Sequence, residues 1–248
     1  MKLNRKLQQS MIVAMGLMVA ATASADDHRE KNRNRIVEPG QQYFDKSYTE
    51  LVDKWTNWLV KEPIATNPAF DPDGRFCDKN QDGKVWFLAS TFDGIADRTC
   101  EIPAGKAIFL SLGGAFVSFA PDFPSAGDPC LQMATTVERV RCDVNNDVPV
   151  APNVSFEVVL DGAPVEDLFA FHTESQPGGF TLRIPNPSFL TDLGITPGNR
   201  PIAVANGYFL FLKPLRPGEH TLTLRMTNPD QSVTGVNYTL IIGDGDDD

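Results

Sequence analysis

The sequence predicts a mainly β, single-domain fold: an antiparallel β-sandwich or jelly roll with an N-terminal helix packed on it. Three observations predict it. Many short apolar runs with period-two alternation are bounded by Gly and Pro. The helical signal concentrates in one strong N-terminal segment, with a weaker one near residue 135. No Pro-, Gly- or Ser-rich linker and no internal repeat divides the chain, so the roughly 220 residues after its leader are enough for one sizeable core.

Residues 1–25 read as a signal peptide. Lys2, Arg5 and Lys6 form a basic start, Met11–Ala20 is an apolar run, and Ala23-Ser24-Ala25 is an A-x-A cleavage signal. The run is too short to span a bilayer, and no later stretch reaches the required length. The expected product is a soluble exported protein of a bacterium, working in the periplasm or outside the cell. Residues 26–42 are polar and read as a flexible lead-in. The domain follows over 43–242, and 243–248 is an acidic tail with Asp244, Asp246, Asp247 and Asp248.

The formal net charge is -10, and removing residues 1–25 takes away three positive charges and no negative ones, leaving about -13. A field of that sign repels DNA, RNA and anionic lipid, which excludes nucleic-acid binding as the main task.

Ser47 and Glu50 form an S-x-x-E capping box that starts the helix. Tyr48, Leu51, Val52, Trp55, Trp58 and Leu59 then make one apolar stripe, and Pro63 ends it. The continuous stripe favours docking of Trp55 and Trp58 on the core over a platform for stacking sugar rings. Strands are predicted at Val85–Phe92, Ala107–Leu112, Val154–Leu160, Val165–His172, Gly179–Ile184, Val204–Lys213, His220–Thr227 and Val236–Ile242, with Asp161-Gly162 as a hairpin turn. A second helix over Leu131–Arg141 is weakened by Thr135-Thr136-Val137. The helix at 47–62 is expected against an edge or end of the sandwich.

Residues 74–109 carry the densest set of signals. Four cysteines in an exported chain allow three disulfide connectivities, of which the sequence neighbours Cys77–Cys100 and Cys130–Cys142 are favoured. Each would close a short loop worth roughly 3 kcal/mol under the loop-entropy account. Asp78-Lys79-Asn80-Gln81-Asp82-Gly83 matches the first half of an EF-hand loop, making Asp78, Asn80 and Asp82 a candidate calcium site. The twelfth position is Ala89 instead of a bidentate glutamate, so a true EF-hand is excluded. A partial site would need distant oxygens such as Asp71 or Asp73, and the competing reading is an Asx-rich turn beside a disulfide. Arg98 and Lys106 are expected to pair with acids of this loop, or else to hold an anionic ligand.

Catalytic signals are sparse. No G-x-S-x-G occurs. His172, near Glu174, is a candidate base, and His220 opens a strand after Pro217-Gly218; both are expected to be structural or solvated. Glycan cleavage needs two flanking acids. Asp93, Asp97, Glu101, Glu157, Glu166, Asp167 and Glu174 all qualify by type, and sequence singles out none.

The segments Gly83–Ala89 (G-x-V-W-F-L-A), Arg98–Ala107 (R-x-C-x-I-P-A-G-K-A) and Gly207–Thr221, together with Trp55 and Trp58, resemble a group of secreted, functionally uncharacterised bacterial proteins. The resemblance spans about residues 45–242 and implies a shared fold and export, with no activity attached. The sequence therefore predicts a non-catalytic binding or surface-associated module for an extracellular glycan or other small ligand. The competing expectations are a carboxylate-dependent glycan hydrolase or lyase, and a structural secreted protein with a weak calcium site.

Overall fold

The computed structural model describes residues 34–148 and 153–244. The predicted leader, the lead-in up to residue 33 and the last four residues of the tail lie outside the described residues. The chain is mainly β, with two five-stranded sheets packed against each other.

Helix α1 (Tyr48–Leu59) starts at the expected capping box, where the Ser47 side chain accepts from the Glu50 N–H and the Glu50 carboxylate accepts from the Ser47 N–H. Strands β1 (Val85–Leu88), β2 (Ile95–Ile102) and β3 (Ala107–Phe119) follow. Helix α2 (Thr136–Asp147) leads to β4 (Ser155–Leu160), β5 (Ala163–Pro164), β6 (His172–Glu174) and β7 (Phe180–Ile184). The single-turn α3 (Phe189–Asp192) precedes the long β8 (Gly198–Leu212), β9 (Gly218–Thr227) and β10 (Val233–Ile242).

The first sheet runs β1-β3-β8-β6, with β7 also paired to β8; the second runs β2-β10-β9-β4-β5. The expected sandwich forms, with one change: β1 pairs with β3, and β2 with β10, in parallel. Parallel neighbours need crossovers, and here they are long. β2 and β10 lie at opposite ends of the domain sequence, so β2 adds to the second sheet after the chain has left the first.

Helix α1 covers a face of the first sheet instead of an edge or end. Trp55 packs edge-on against Phe209 at 5.3 Å and Tyr48 against Phe211 at 5.9 Å, while Tyr208 faces Phe156 of the second sheet at 4.7 Å. Successive strand residues point to opposite faces, so the first sheet is buried on both sides. That is why Ala203–Leu212 is buried at every position and why its sequence reads as a continuous apolar run. Asn206 is the buried polar residue within that stretch, and its side-chain amide donates to Asn145 of α2 at 2.7 Å.

Four further differences have identifiable causes. β2 escapes the alternation pattern because its inward positions are Arg98, Cys100 and Ile102, and the first is charged. The predicted strand 165–172 becomes a 3-10 turn at Leu168–Phe171. Asp167 before it is left-handed at φ 54, and Leu168 and Phe171 bury together at helical spacing. The second helix shifts to Thr136–Asp147 because Thr135 and Glu138 form a capping box. Within the predicted lead-in, Ile36 and Val37 are buried, and the Val37 N–H donates to the Phe211 carbonyl at 2.8 Å.

Both favoured disulfides are present, Cys77–Cys100 and Cys130–Cys142. Among the described residues no helix is long and apolar enough to cross a membrane.

Candidate ligand-binding groove

The 74–109 block proves to be a structural node. The Asp71 carboxylate, 1% exposed, accepts from the N–H groups of Asp73, Gly74 and Phe76. Gly74 is required there: its φ is +98°, and a Cβ would sit 2.2 Å from the Thr99 carbonyl oxygen. Arg98, 2% exposed, donates to the carbonyls of Ala69, Asp71 and Ala89 and to the Tyr238 hydroxyl. Arg98 therefore serves backbone oxygens, not the acids of the 78–82 loop. Lys106 likewise donates to the Gly83 carbonyl.

In the candidate calcium loop, the Asn80 side-chain amide donates to Glu62 at 2.8 Å. Gln81 folds inward and bonds both ways with the Phe87 backbone. Asp78 and Asp82 stay exposed. Asp71 is committed to backbone N–H groups and Asp73 to Arg75, so neither completes the loop. Among the described residues no three His, Cys, Asp or Glu side chains gather as metal ligands.

The histidines do not form a catalytic pair. Glu174 accepts from Arg141 and Asn145 instead of His172, whose ring lies 5.2 Å from Tyr208. His220 is buried between the Asp161 carboxylate, 2.7 Å from Nδ1, and the Arg216 carbonyl, 2.9 Å from Nε2. Burial raises the Asp161 carboxyl, but bonds from His220, Arg35 and the Thr221 N–H outweigh it and hold the group below its usual range. This network fixes the Asp161-Gly162 hairpin turn to β9. Of the candidate acids, Asp93 and Asp97 share a shallow depression of about 380 Å³ beside Phe70 and Ile95. Trp55, Trp58 and Trp86 are all buried, at 5%, 4% and 7% exposure, so none offers a ring face to a sugar.

A larger concavity than this depression lies elsewhere, along the outer side of α1. It is an open groove of about 1130 Å³ between the 80–87 segment and β7. Leu51, Trp58, Phe87 and Ile184 contribute its apolar lining. Lys46, Lys54, Lys61, Lys84 and Arg183 line it together with Asp53, Glu62 and Asp82. Asn57 fixes one wall: its amide donates to the Thr181 carbonyl and its oxygen accepts the Arg183 N–H, tying α1 to β7. Burial raises the Glu62 carboxyl, but hydrogen bonds from Thr66 and Asn80 and the charges of Lys79 and Lys61 outweigh it, and Glu62 stays ionised.

Asp53 differs from its neighbours. One carboxylate oxygen, Oδ1, is buried without a hydrogen-bond partner. Burial, reinforced by Glu50 one turn earlier, pushes the group up from 3.8 to about 7, against the opposing pull of the Gln176 N–H and Arg141. The folded state thus holds this proton more tightly than the unfolded chain. Stability falls as pH rises from about 4 to about 7, then levels off. Asp53→Asn is expected to raise stability by about 1–2 kcal/mol at pH 8, allowing for solvent screening of a partly exposed group. Near pH 4 the gain should vanish, and paired urea melts at the two pH values check this.

Sequence reading missed Asp53, Lys54, Lys61 and Arg183. Asp53 and Lys54 sit on the polar side of α1 and Lys61 in the turn after it, where charges normally mean solvent, and only the tertiary placement of β7 turns that side into a wall. No family model, curated protein or solved structure matches this chain.

Proposed function

We propose that this is an exported, non-catalytic binding protein whose α1 groove holds an extracellular glycan. The observation that carries this reading is the groove itself, an open channel with an apolar floor and a hydrogen-bonding, charged rim. Its length along a helix suits an extended chain better than a compact molecule. The leader at 1–25 supports export, as do the two disulfides, which persist in oxidising compartments. A glycan array covering neutral and acidic saccharides tests it. Binding that is lost when Asn57 and Lys61 are both replaced by alanine is the expected result, and an array with no bound saccharide overturns the reading.

A second reading is favoured by one observation, the Asp53 carboxyl pushed up to about 7 in a groove that the ionised Glu62 also lines. An acid with a raised pKa near a second carboxylate is the pattern of glycan cleavage. Release of reducing ends from a bound polysaccharide, abolished in Asp53→Asn, would favour this enzyme over the binding module.

A further inference from the structure

We propose that the α1 groove selects an anionic saccharide chain, bearing carboxylate or sulfate groups, over a neutral one. The proposal rests on the glycan reading of the groove and adds the charge class of its ligand.

The groove has the opposite sign to the rest of the molecule. It takes five of the chain's 22 Lys and Arg residues but three of its 32 Asp and Glu residues. The overall charge of -10 does not cancel this locally, because charges beyond about 8 Å are screened at physiological salt. Of these cations Lys46 is ion-paired to Glu50, and the charge of Lys61 acts on Glu62 without a direct contact. Among the described residues, Lys54, Lys61 and Arg183 have no carboxylate within ion-pair distance, and all three are exposed. Lys84 rests over the Phe44 ring at 5.2 Å, and Lys46 lies 3.9 Å from Glu50.

Two of the three acids of the groove have oxygens already engaged or buried, while Asp82 is exposed. Both Glu62 oxygens already accept, one from Asn80 and one from Thr66. Asp53 turns one oxygen into the protein interior.

The arrangement suits a repeating anion. Lys54 stands on α1 and Lys61 in the turn just after its C-terminal end, so the two can meet charges on separate sugars of one chain. Arg183 stands on the other wall, where its planar fork can take a carboxylate or sulfate by two parallel bonds. Its backbone is anchored by Asn57, which fixes the distance between the walls. The other exposed candidate surface has the wrong sign for such a ligand. There the Phe70, Phe92 and Phe189 rings stack at 5.0 and 5.4 Å, and Asp93 and Asp97 border Phe70.

Calorimetric titration of the full mature chain with hexagalacturonate, a sulfated hexasaccharide, maltohexaose and an oligoglutamate peptide tests the proposal. The comparison proteins are the triple variant Lys54→Gln/Lys61→Gln/Arg183→Gln and Phe92→Ala. The expected result is that at least one acidic saccharide binds about tenfold or more tighter than maltohexaose. The triple variant should lose that advantage at an unchanged melting temperature, Phe92→Ala should retain it, and binding should weaken with added salt. The two acidic saccharides separate carboxylate from sulfate recognition. Equal binding of maltohexaose, an unaffected triple variant, or loss in Phe92→Ala overturns the charge selection while leaving a glycan ligand in place. Binding of no saccharide overturns the glycan reading itself, and binding of oligoglutamate alone replaces the saccharide with an acidic peptide.

Discussion

Replacing Arg98 with alanine is expected to destabilise the domain by about 3–5 kcal/mol. The cost arises because the guanidinium is the shared donor for several otherwise separate segments. Its nitrogens reach Ala69, Asp71, Ala89 and Tyr238, and with them the loop before the disulfide, the end of β1 and strand β10. Removing it strands several buried acceptors in a site that water does not reach, each costing about 1–3 kcal/mol before relaxation. Arg98→Lys keeps the charge but cannot reproduce a planar fork with this many donors, and it should recover less than half of the loss. Urea unfolding followed by tryptophan fluorescence measures both variants. A cost below about 1 kcal/mol for Arg98→Ala would show that the carbonyls find other partners.

Phe109→Ala should cost about as much, 3–5 kcal/mol by order of magnitude, for a different reason. Phe109 is fully buried and lies at the centre of the aromatic layer between α1 and the first sheet. Its ring stacks on Phe209 at 5.4 Å and meets Tyr48 at 5.8 Å and Phe211 at 5.9 Å. Truncation opens a cavity bounded by rings held from several directions, which limits collapse. Phe109→Leu should cost about 1–2 kcal/mol, since most of the volume remains. The mutation tests the layer order directly. If α1 lay at an edge of the sandwich, position 109 would have one packed face and the alanine cost would fall by about half.

Features legible in the sequence were those set by local chemistry. The Ser47–Glu50 capping box and the apolar stripe located α1, and the alternation of Leu222 and Leu224 with Thr221 and Thr223 located β9. The pairing Cys77–Cys100 followed from proximity in the chain and the predicted compartment. What failed depended on partners distant in sequence. β2 was missed because Arg98 occupies an inward position that an apolar residue normally fills, and its partners come from residues up to 140 positions away. The parallel pairing of β2 with β10 leaves no trace in either strand. The groove was hidden for the same reason. Lys54 and Lys61 look like ordinary solvated charges until Arg183 of β7 is placed opposite them. In the EF-hand-like stretch at 78–83, Asn80 bonds to Glu62 and Gln81 to backbone, contacts that the spacing of its acids does not reveal.

The claim that the α1 groove is the ligand site is tested most directly by a nitrogen-15 NMR titration of the mature chain with hexagalacturonate. Saturable amide shifts confined to residues 46–62, 80–87 and 181–185 are the expected result. Shifts centred on Phe70, Phe92 and Asp93, or no localised shifts at a large excess of this ligand and of its neutral and sulfated counterparts, would contradict it.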